Sequence, residues 1–418
     1  LFGSLQRPRT ELDEEHDTMS LQEHRLQDHQ VLQREADGTS HGLPVGGPYE
    51  IEGAHDILVG DLWVLAGQSN MEGVGDLIDA EAPDNSVRSF QSREQWATAE
   101  EPLHWLGESP QVVHHRLWGA EGVPERVPPR DPGRNKGAGL GLAFGKAYHA
   151  ATGVPVGLIP SAHGGTSMDQ WDPALKAEGG ASLYGATCAR VAANGGRVRG
   201  ILWYQGESDC YPAGVEVYAA KMRRLIDAFR ADFGDPELPF YFVQLGVFAC
   251  PSSADGVAGW NGIREVQRTL ATTIPNTAMV SAIDLELDDL IHIGTSGLKR
   301  LGRRLAAVAT GASTLDLKSV EWADSTHLRV TFTGARGGLT APGRPAGFEL
   351  RDAAGNRIEL LYKTTLEGDT AVLHVTDGHG PIPKGMRLWY GWGLNPYCNI
   401  TDAHDMAVPA FGPIAIPD

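Results

Sequence analysis

Between residues 61 and 311 the sequence alternates short apolar runs with amphipathic helical patterns, and this alternation constrains the fold more than any other feature. The runs are DLWVLAGQSN (61–70), VPVGLIPS (154–161), RGILWYQG (199–206), LPFYFVQLG (238–246) and TAMVSAID (277–284). Each is continuously apolar and closed by turn residues, as strands are when both faces of a parallel sheet are covered. Helical spacing fills the gaps. GLGLAFGKAYHAATG (139–153) ends on a glycine cap, and VEVYAAKMRRLIDAFRADFG (215–234) gathers Val217, Ala220, Leu225, Ala228 and Phe229 near one face, with Met222 out of phase. WNGIREVQRTLATTI (260–274) and SGLKRLGRRLAAVATG (296–311) follow the same 3.6-residue logic. The pattern predicts a doubly wound α/β sheet.

The chain's 418 residues exceed what one core usually serves. Residues 1–50 are polar, charged and poorly periodic, and read as an arm followed by short β-segments. Residues 51–312 carry the α/β pattern, and 313–418 read as a small accessory β-domain, sandwich-like, from runs such as HLRVTFTG, TAVLHVTDG and MRLWYGWG. Within the middle region, 75–137 is a long insertion with Trp96, Trp105 and Trp118, of the kind that shapes a neighbouring site.

A net charge of −18 argues against a nucleic-acid partner, because such proteins present basic surfaces to phosphates. No apolar run reaches the ~18–20 residues of a membrane span. The four cysteines form no CxxC pair, so zinc spacing is missing; they read as small buried residues, with a Cys188–Cys210 disulfide left open. The adjacent His114 and His115 lack further ligand-type neighbours, and neither a metal nor a cofactor is expected. No leader-like apolar segment opens the chain. A start at Met19 would imply the cytoplasm and a removed signal would imply export, so the compartment stays open, as does the oligomeric state.

Candidate chemistry gathers at the strand ends, where open α/β sheets bind ligands. Ser69 follows the first predicted strand in GQSNMEG, and Met71 breaks the GxSxG pattern of α/β-hydrolases. A serine needs a base to take its proton and the base needs an orienting partner. DLIH supplies both, with Asp289 three residues before His292. The same spacing recurs at Asp13/His16 and Asp324/His327, but only Asp289/His292 lies between the last sheet strand and a helix. Oxyanion donors could come from SAHGGTSMDQW (161–171), through the Gly164–Gly165 pair, and from Gln205 in WYQGESD (203–209). Glu207 and Asp209 are too close in sequence to flank a glycosidic bond and read as structural or substrate-orienting.

Taken together, GQSNM, SxxGGT, WYQGES and DxxH resemble the SGNH hydrolases, and most closely their sialate O-acetylesterase and family 6 carbohydrate esterase branch. WNGIREVQ (260–267), YGWGLNPYCNITD (390–402) and DHQVLQRE (28–35) carry the similarity over nearly the whole chain. The sequence departs from the branch in a shortened N-terminal β-region and in Ile293, where many relatives have proline. The resemblance implies a flavodoxin-like three-layer fold and a cofactor-free serine esterase that removes acetyl groups from a small-molecule or glycan acetyl ester. It implies Ser69, Asp289 and His292 as the triad, with Ser69, Gly165 and Gln205 forming the oxyanion hole. Gln68, Asn70, Glu207 and Trp171 are the residues expected to meet the substrate. A lipase-like SGNH hydrolase and a glycan-binding protein on a hydrolase fold are the alternatives.

Overall fold

The computed structural model describes residues 25–417 apart from 128, 353 and 377–382; the Asp13/His16 pair and Met19 lie outside the described residues. The sheet strands are β1 (Val31–Gln33), β2 (Gly46–Ile51), β3 (Ala54–Gly67), β4 (Val87–Phe90), β5 (Trp96–Thr98), β6 (Val156–Pro160), β7 (Gly200–Tyr204), β8 (Phe240–Gln244) and β9 (Thr277–Ser281). Their order is β9-β8-β7-β3-β6-β4-β5, with β1 and β2 pairing β3. β3, β6, β7, β8 and β9 are mutually parallel and give the flavodoxin-like order 2-1-3-4-5. Every residue of β6 and β7 is buried, as their unbroken apolar composition requires of strands covered on both faces.

The central strand, at 14 residues, is longer than its apolar run suggests. Its first half takes β1 in parallel and β2 in antiparallel, so residues 25–51 join the sheet through β3. Asp61 looks like a strand boundary in the sequence, yet it lies inside β3 with no exposure. Its charge is matched by a two-pronged Arg34 contact at 2.7 and 2.9 Å and by the Tyr148 hydroxyl at 2.7 Å, the condition under which a carboxylate can be buried. The 75–137 insertion contributes β4, parallel to β6, and β5, antiparallel to β4.

The helices are α1 (Ser69–Glu72), α2 (Val112–Leu117), α3 (Gly141–Thr152), α4 (Leu183–Ala192), α5 (Pro212–Asp232), α6 (Ala254–Thr273) and α7 (Thr295–Ala309). α3 packs on α7 and α5 on α6. Ser182 and Ser253 accept the Gly185 and Gly256 N–H groups as N-caps, and Gly153 ends α3 at φ 71°. In α5 the core face is Tyr218, Met222, Leu225, Ile226 and Phe229, while Val217 is exposed, so the phase read from the sequence was rotated. Counting from Tyr218 puts Met222 on the i, i+4, i+7, i+8, i+11 stripe. Among the described residues no helix is long and apolar enough to cross a membrane.

Beyond residue 313 two four-stranded antiparallel sheets form, one from Asp316–Trp322, His327–Thr333, Leu361–Glu367 and Thr370–Val375. The other joins Phe348–Arg351, Arg357–Ile358, Arg387–Tyr390 and Phe411–Ala415. Buried side chains tie them to the α/β layers. Arg264 donates to the carbonyls of Gly391, Gly393 and Leu394, and Gln244 exchanges two 2.8 Å hydrogen bonds with the Ala410 backbone. All four cysteines are free thiols, so the open Cys188–Cys210 pairing is not made.

Candidate active site

Ser69 opens α1 directly beyond the carboxyl end of β3. The turn that places it depends on Gly67, which stands at φ 129°, a region side chains rarely adopt. A Cβ at Gly67 would lie 2.1 Å from the Tyr204 carbonyl oxygen, so only glycine lets β3 end this close to β7. The 163–166 loop reaches Ser69 from β6: a Cβ on Gly164 would stand 3.4 Å from the Ser69 Cβ. The Gly164 N–H is taken by Glu72 at 2.7 Å. The backbone N–H groups of Ser69 and Gly165 and the Ser69 hydroxyl have no hydrogen-bond partner among the described residues.

His292 sits on a loop between β9 and α7, pinned by the Leu287–Ile293 bridge, by Asp288 N–H to the His292 carbonyl at 2.8 Å and by Gly294 N–H to Glu286 at 2.9 Å. Asp289 folds back on it. One carboxylate oxygen accepts the Ile291 and His292 N–H groups at 2.8 Å each, and the other meets His292 Nδ1 at 2.6 Å. Partial burial works to raise the Asp289 carboxyl, but these donors outweigh it and hold it below the usual carboxylate range. His292 Nε2 has no partner among the described residues.

Asn70 connects the two halves. Its side-chain oxygen accepts the Ile293 N–H at 3.0 Å, and its amide donates to the Ile291 carbonyl at 3.3 Å and to Glu207 at 2.8 Å. The residue after Ser69 therefore grips the backbone on both sides of His292. The structure brings Ser69, Asn70, Glu207 and the Asp289–His292 pair into one cluster at the sheet's carboxyl edge.

Several expected substrate contacts are placed elsewhere. Trp171 has no exposure, donates to Thr166 Oγ1 at 3.1 Å and packs edge-on against Trp203, so it offers no face to a sugar. Asn70 and Gln68 are buried, at 2% and 3% exposure, and Asn70 is spent on protein partners. Glu207 is closed in by Asn70, its second carboxylate oxygen is buried without a partner among the described residues, and burial pushes its carboxyl up. Gln205 is fully buried. Its amide nitrogen donates to the Thr166 carbonyl at 3.0 Å and to Asp209 at 2.6 Å, so both hydrogens are committed. It braces the loop that carries Gly165, and no free donor is left for an oxyanion.

Residues 59–310 match the family described as carbohydrate esterase, sialic acid-specific acetylesterase. The chain belongs to this family. It is thereby an ester hydrolase. It is 29% identical over 267 residues to a probable carbohydrate esterase of Arabidopsis thaliana, covering 59% of this chain and 88% of that protein. It is also 27% identical over 280 residues to the human sialate O-acetylesterase, a match that spans 57% of this chain and only about half, 53%, of that enzyme. In fold it resembles the crystal structure of a carbohydrate acetylesterase from Xanthomonas citri, with TM-score 0.69 and 23% identity over 92% of this chain and 97% of that one.

This esterase has one feature beside Ser69 that sequence reasoning missed. Glu72, on the same short helix, is half-buried, and its loss of water contact pushes its carboxyl up to about 7 despite the Gly164 N–H and the charge of Arg134. Its position three residues after the serine, in GQSNMEG, was the available signal, since i and i+3 share a helix face. Nearby, His114 and His163 stack with ring centroids 5.2 Å apart and are joined through their Nδ1 atoms at 2.9 Å; burial lowers His163 to about 4.

Proposed function

We propose that the chain removes O-acetyl groups from carbohydrates by two-step acyl transfer at Ser69. His292, oriented by Asp289 through Nδ1, takes the Ser69 proton on Nε2 as the oxygen attacks the acetyl carbonyl. The backbone N–H groups of Ser69 and Gly165, both without competing acceptors among the described residues, stabilise the oxyanion, where one donor is worth ~10²–10³ in rate. The sugar hydroxyl leaves with the proton from His292, and water attacks the acetyl-enzyme by the same base. No step calls on a metal or cofactor.

The observation that carries this reading is the Asp289–His292 pair held by Asn70 against the helix that Ser69 opens. The test is hydrolysis of p-nitrophenyl esters from acetate to octanoate by wild type and Ser69→Ala. Turnover restricted to acetate and abolished in the variant supports the reading. Strong turnover of octanoate moves the substrate to lipids, and a Ser69→Ala variant with full activity overturns the mechanism.

A further inference from the structure

Along 162–164 the loop that leaves β6 has a fixed acceptor for each backbone N–H. The Ala162 N–H goes to His104 Nε2 at 3.2 Å, the His163 N–H to the Gly67 carbonyl at 3.1 Å and the Gly164 N–H to Glu72 Oε2 at 2.7 Å. The next N–H, that of Gly165, has no acceptor among the described residues. Of the three acceptors, only Glu72 comes from α1, the helix that Ser69 opens. A Cβ on Gly164 would stand 3.3 Å from Glu72 Oε2 and 3.4 Å from the Ser69 Cβ, so this glycine is wedged between the two side chains. On the far side of Gly165, Gln205 holds the Thr166 carbonyl at 3.0 Å. The peptide that offers the oxyanion donor is thus fixed from both ends, and Glu72 ties it to the serine.

The surroundings of Glu72 suit a neutral acid. Among the described residues it makes no ion pair, and its Oε1 has no partner. The charged groups near it come from the 75–137 insertion. Arg130 is spent on Glu108, and Asp131 accepts the Gly133 N–H. The charge of Arg134 acts to lower the Glu72 carboxyl, and the loss of water contact outweighs it. His104 and His163, lowered by burial to about 3 and about 4, are neutral through the working range of an esterase, and His292 lies across Ser69. Glu101, behind Gly139, is also pushed up to about 7 by burial, but its carboxylate holds the Leu103 N–H at 3.1 Å and not the 162–166 loop. A neutral Glu72 accepts the Gly164 N–H through its carbonyl oxygen and adds no charge where the acetyl oxygen becomes negative. The ionised form keeps the hydrogen bond but sets a like charge beside the developing oxyanion, which opposes it.

We propose that Glu72 is a positioning residue for the oxyanion donor, holding Gly164 against Ser69 as a neutral acid and slowing acyl transfer when it ionises; the proposal rests on Ser69 being the nucleophile. The test is kcat for p-nitrophenyl acetate across pH, read as the ratio of variant to wild type, which cancels the ionisation of His292 that both proteins share. Glu72→Gln keeps the acceptor and cannot ionise. Its kcat should lie within about threefold of wild type near about pH 5.5, and the ratio should rise about tenfold by about pH 8.5, as wild type gains its opposing charge. Glu72→Ala removes the acceptor, so kcat should fall by about 10²-fold at every pH while KM changes less than about threefold. Glu101→Gln should give a ratio that does not move with pH. A flat ratio for Glu72→Gln, a rising one for Glu101→Gln alone, or wild-type kcat in Glu72→Ala would overturn the role of Glu72. Failure of the underlying reading looks different, since Ser69→Ala would then keep its p-nitrophenyl acetate activity.

Discussion

Asn70→Ala is the substitution that most sharply separates a positioning role from substrate contact. The side chain makes three hydrogen bonds, to Glu207 at 2.8 Å, the Ile291 carbonyl at 3.3 Å and the Ile293 N–H at 3.0 Å. Truncation leaves the Ile293 N–H, on a residue 1% exposed, and the Glu207 carboxyl without their partner. Each stranded group costs roughly 1–3 kcal/mol, so a stability loss of about 2–6 kcal/mol is expected in urea melts. That is a large share of a typical ~5–15 kcal/mol, so kinetics belong at low temperature on protein shown to be folded. The activity effect follows from position. His292 lies between the two backbone groups that Asn70 holds, and a shift of ~1 Å in a catalytic group costs on the order of 10²-fold. We expect kcat for p-nitrophenyl acetate to fall by about that factor while KM changes less than about threefold. Loss confined to KM would return Asn70 to the substrate-binding role that its place beside Ser69 suggested. A destabilised variant with wild-type kcat would show that the Asn70 clamp does not set the position of His292.

Other outcomes follow from the same geometry. Asp289→Asn should leave the fold intact and lower kcat by up to about 10⁴-fold through the wrong imidazole tautomer, whereas Asp324→Asn should leave kcat unchanged. Trp171→Ala should cost about 3–5 kcal/mol of stability, read by denaturant midpoint, as the loss of a buried aromatic does; an intact fold with raised KM would instead place Trp171 on the sugar. Glu72 binds its proton near 7 in the folded chain against 4.5 for an ordinary glutamate, so wild type loses stability as pH rises from about 4.5 through about 7. Glu72→Gln still accepts the Gly164 N–H and carries no charge, so it should match wild type near about pH 4 and exceed it by roughly 3 kcal/mol near about pH 8.5. Equal stability of the two proteins across that range would refute the raised carboxyl.

Much of the sheet was legible because parallel strands buried on both faces need unbroken apolar runs, and 154–161, 199–206, 238–246 and 277–284 each contain one strand of it. What escaped were contributions whose pattern is set by distant partners. Asp61 masked the first half of β3 because Arg34 and Tyr148, which allow its burial, lie far away in sequence. The short strands β4 and β5 were hidden in the insertion because three or four residues carry too little periodicity to read. Gln205 and Trp171 stand at the right places in their motifs, but only the packed structure shows the partners that occupy them.

The DxxH pair shows how far a local motif can be trusted. Asp324 and His327 reproduce the Asp289 and His292 arrangement almost atom for atom. One oxygen of Asp324 takes two backbone N–H groups at 2.8 and 2.9 Å, and the other meets His327 Nδ1 at 2.8 Å. The spacing alone thus builds an oriented histidine wherever the chain can turn. His327 Nε2, however, is 3.1 Å from His374 Nδ1 inside the β-rich region, and its second nitrogen is spent there. At His292 the loop leaves β9 at the sheet's carboxyl edge, Asn70 holds it beside Ser69, and among the described residues Nε2 has no partner. Under the proposed mechanism the chemistry resides less in the motif than in the strand end that presents it. Placement after the last sheet strand and before a helix separates the two pairs in the sequence, because it sets Asp289 and His292 at the carboxyl edge of the sheet, the side on which Ser69 lies.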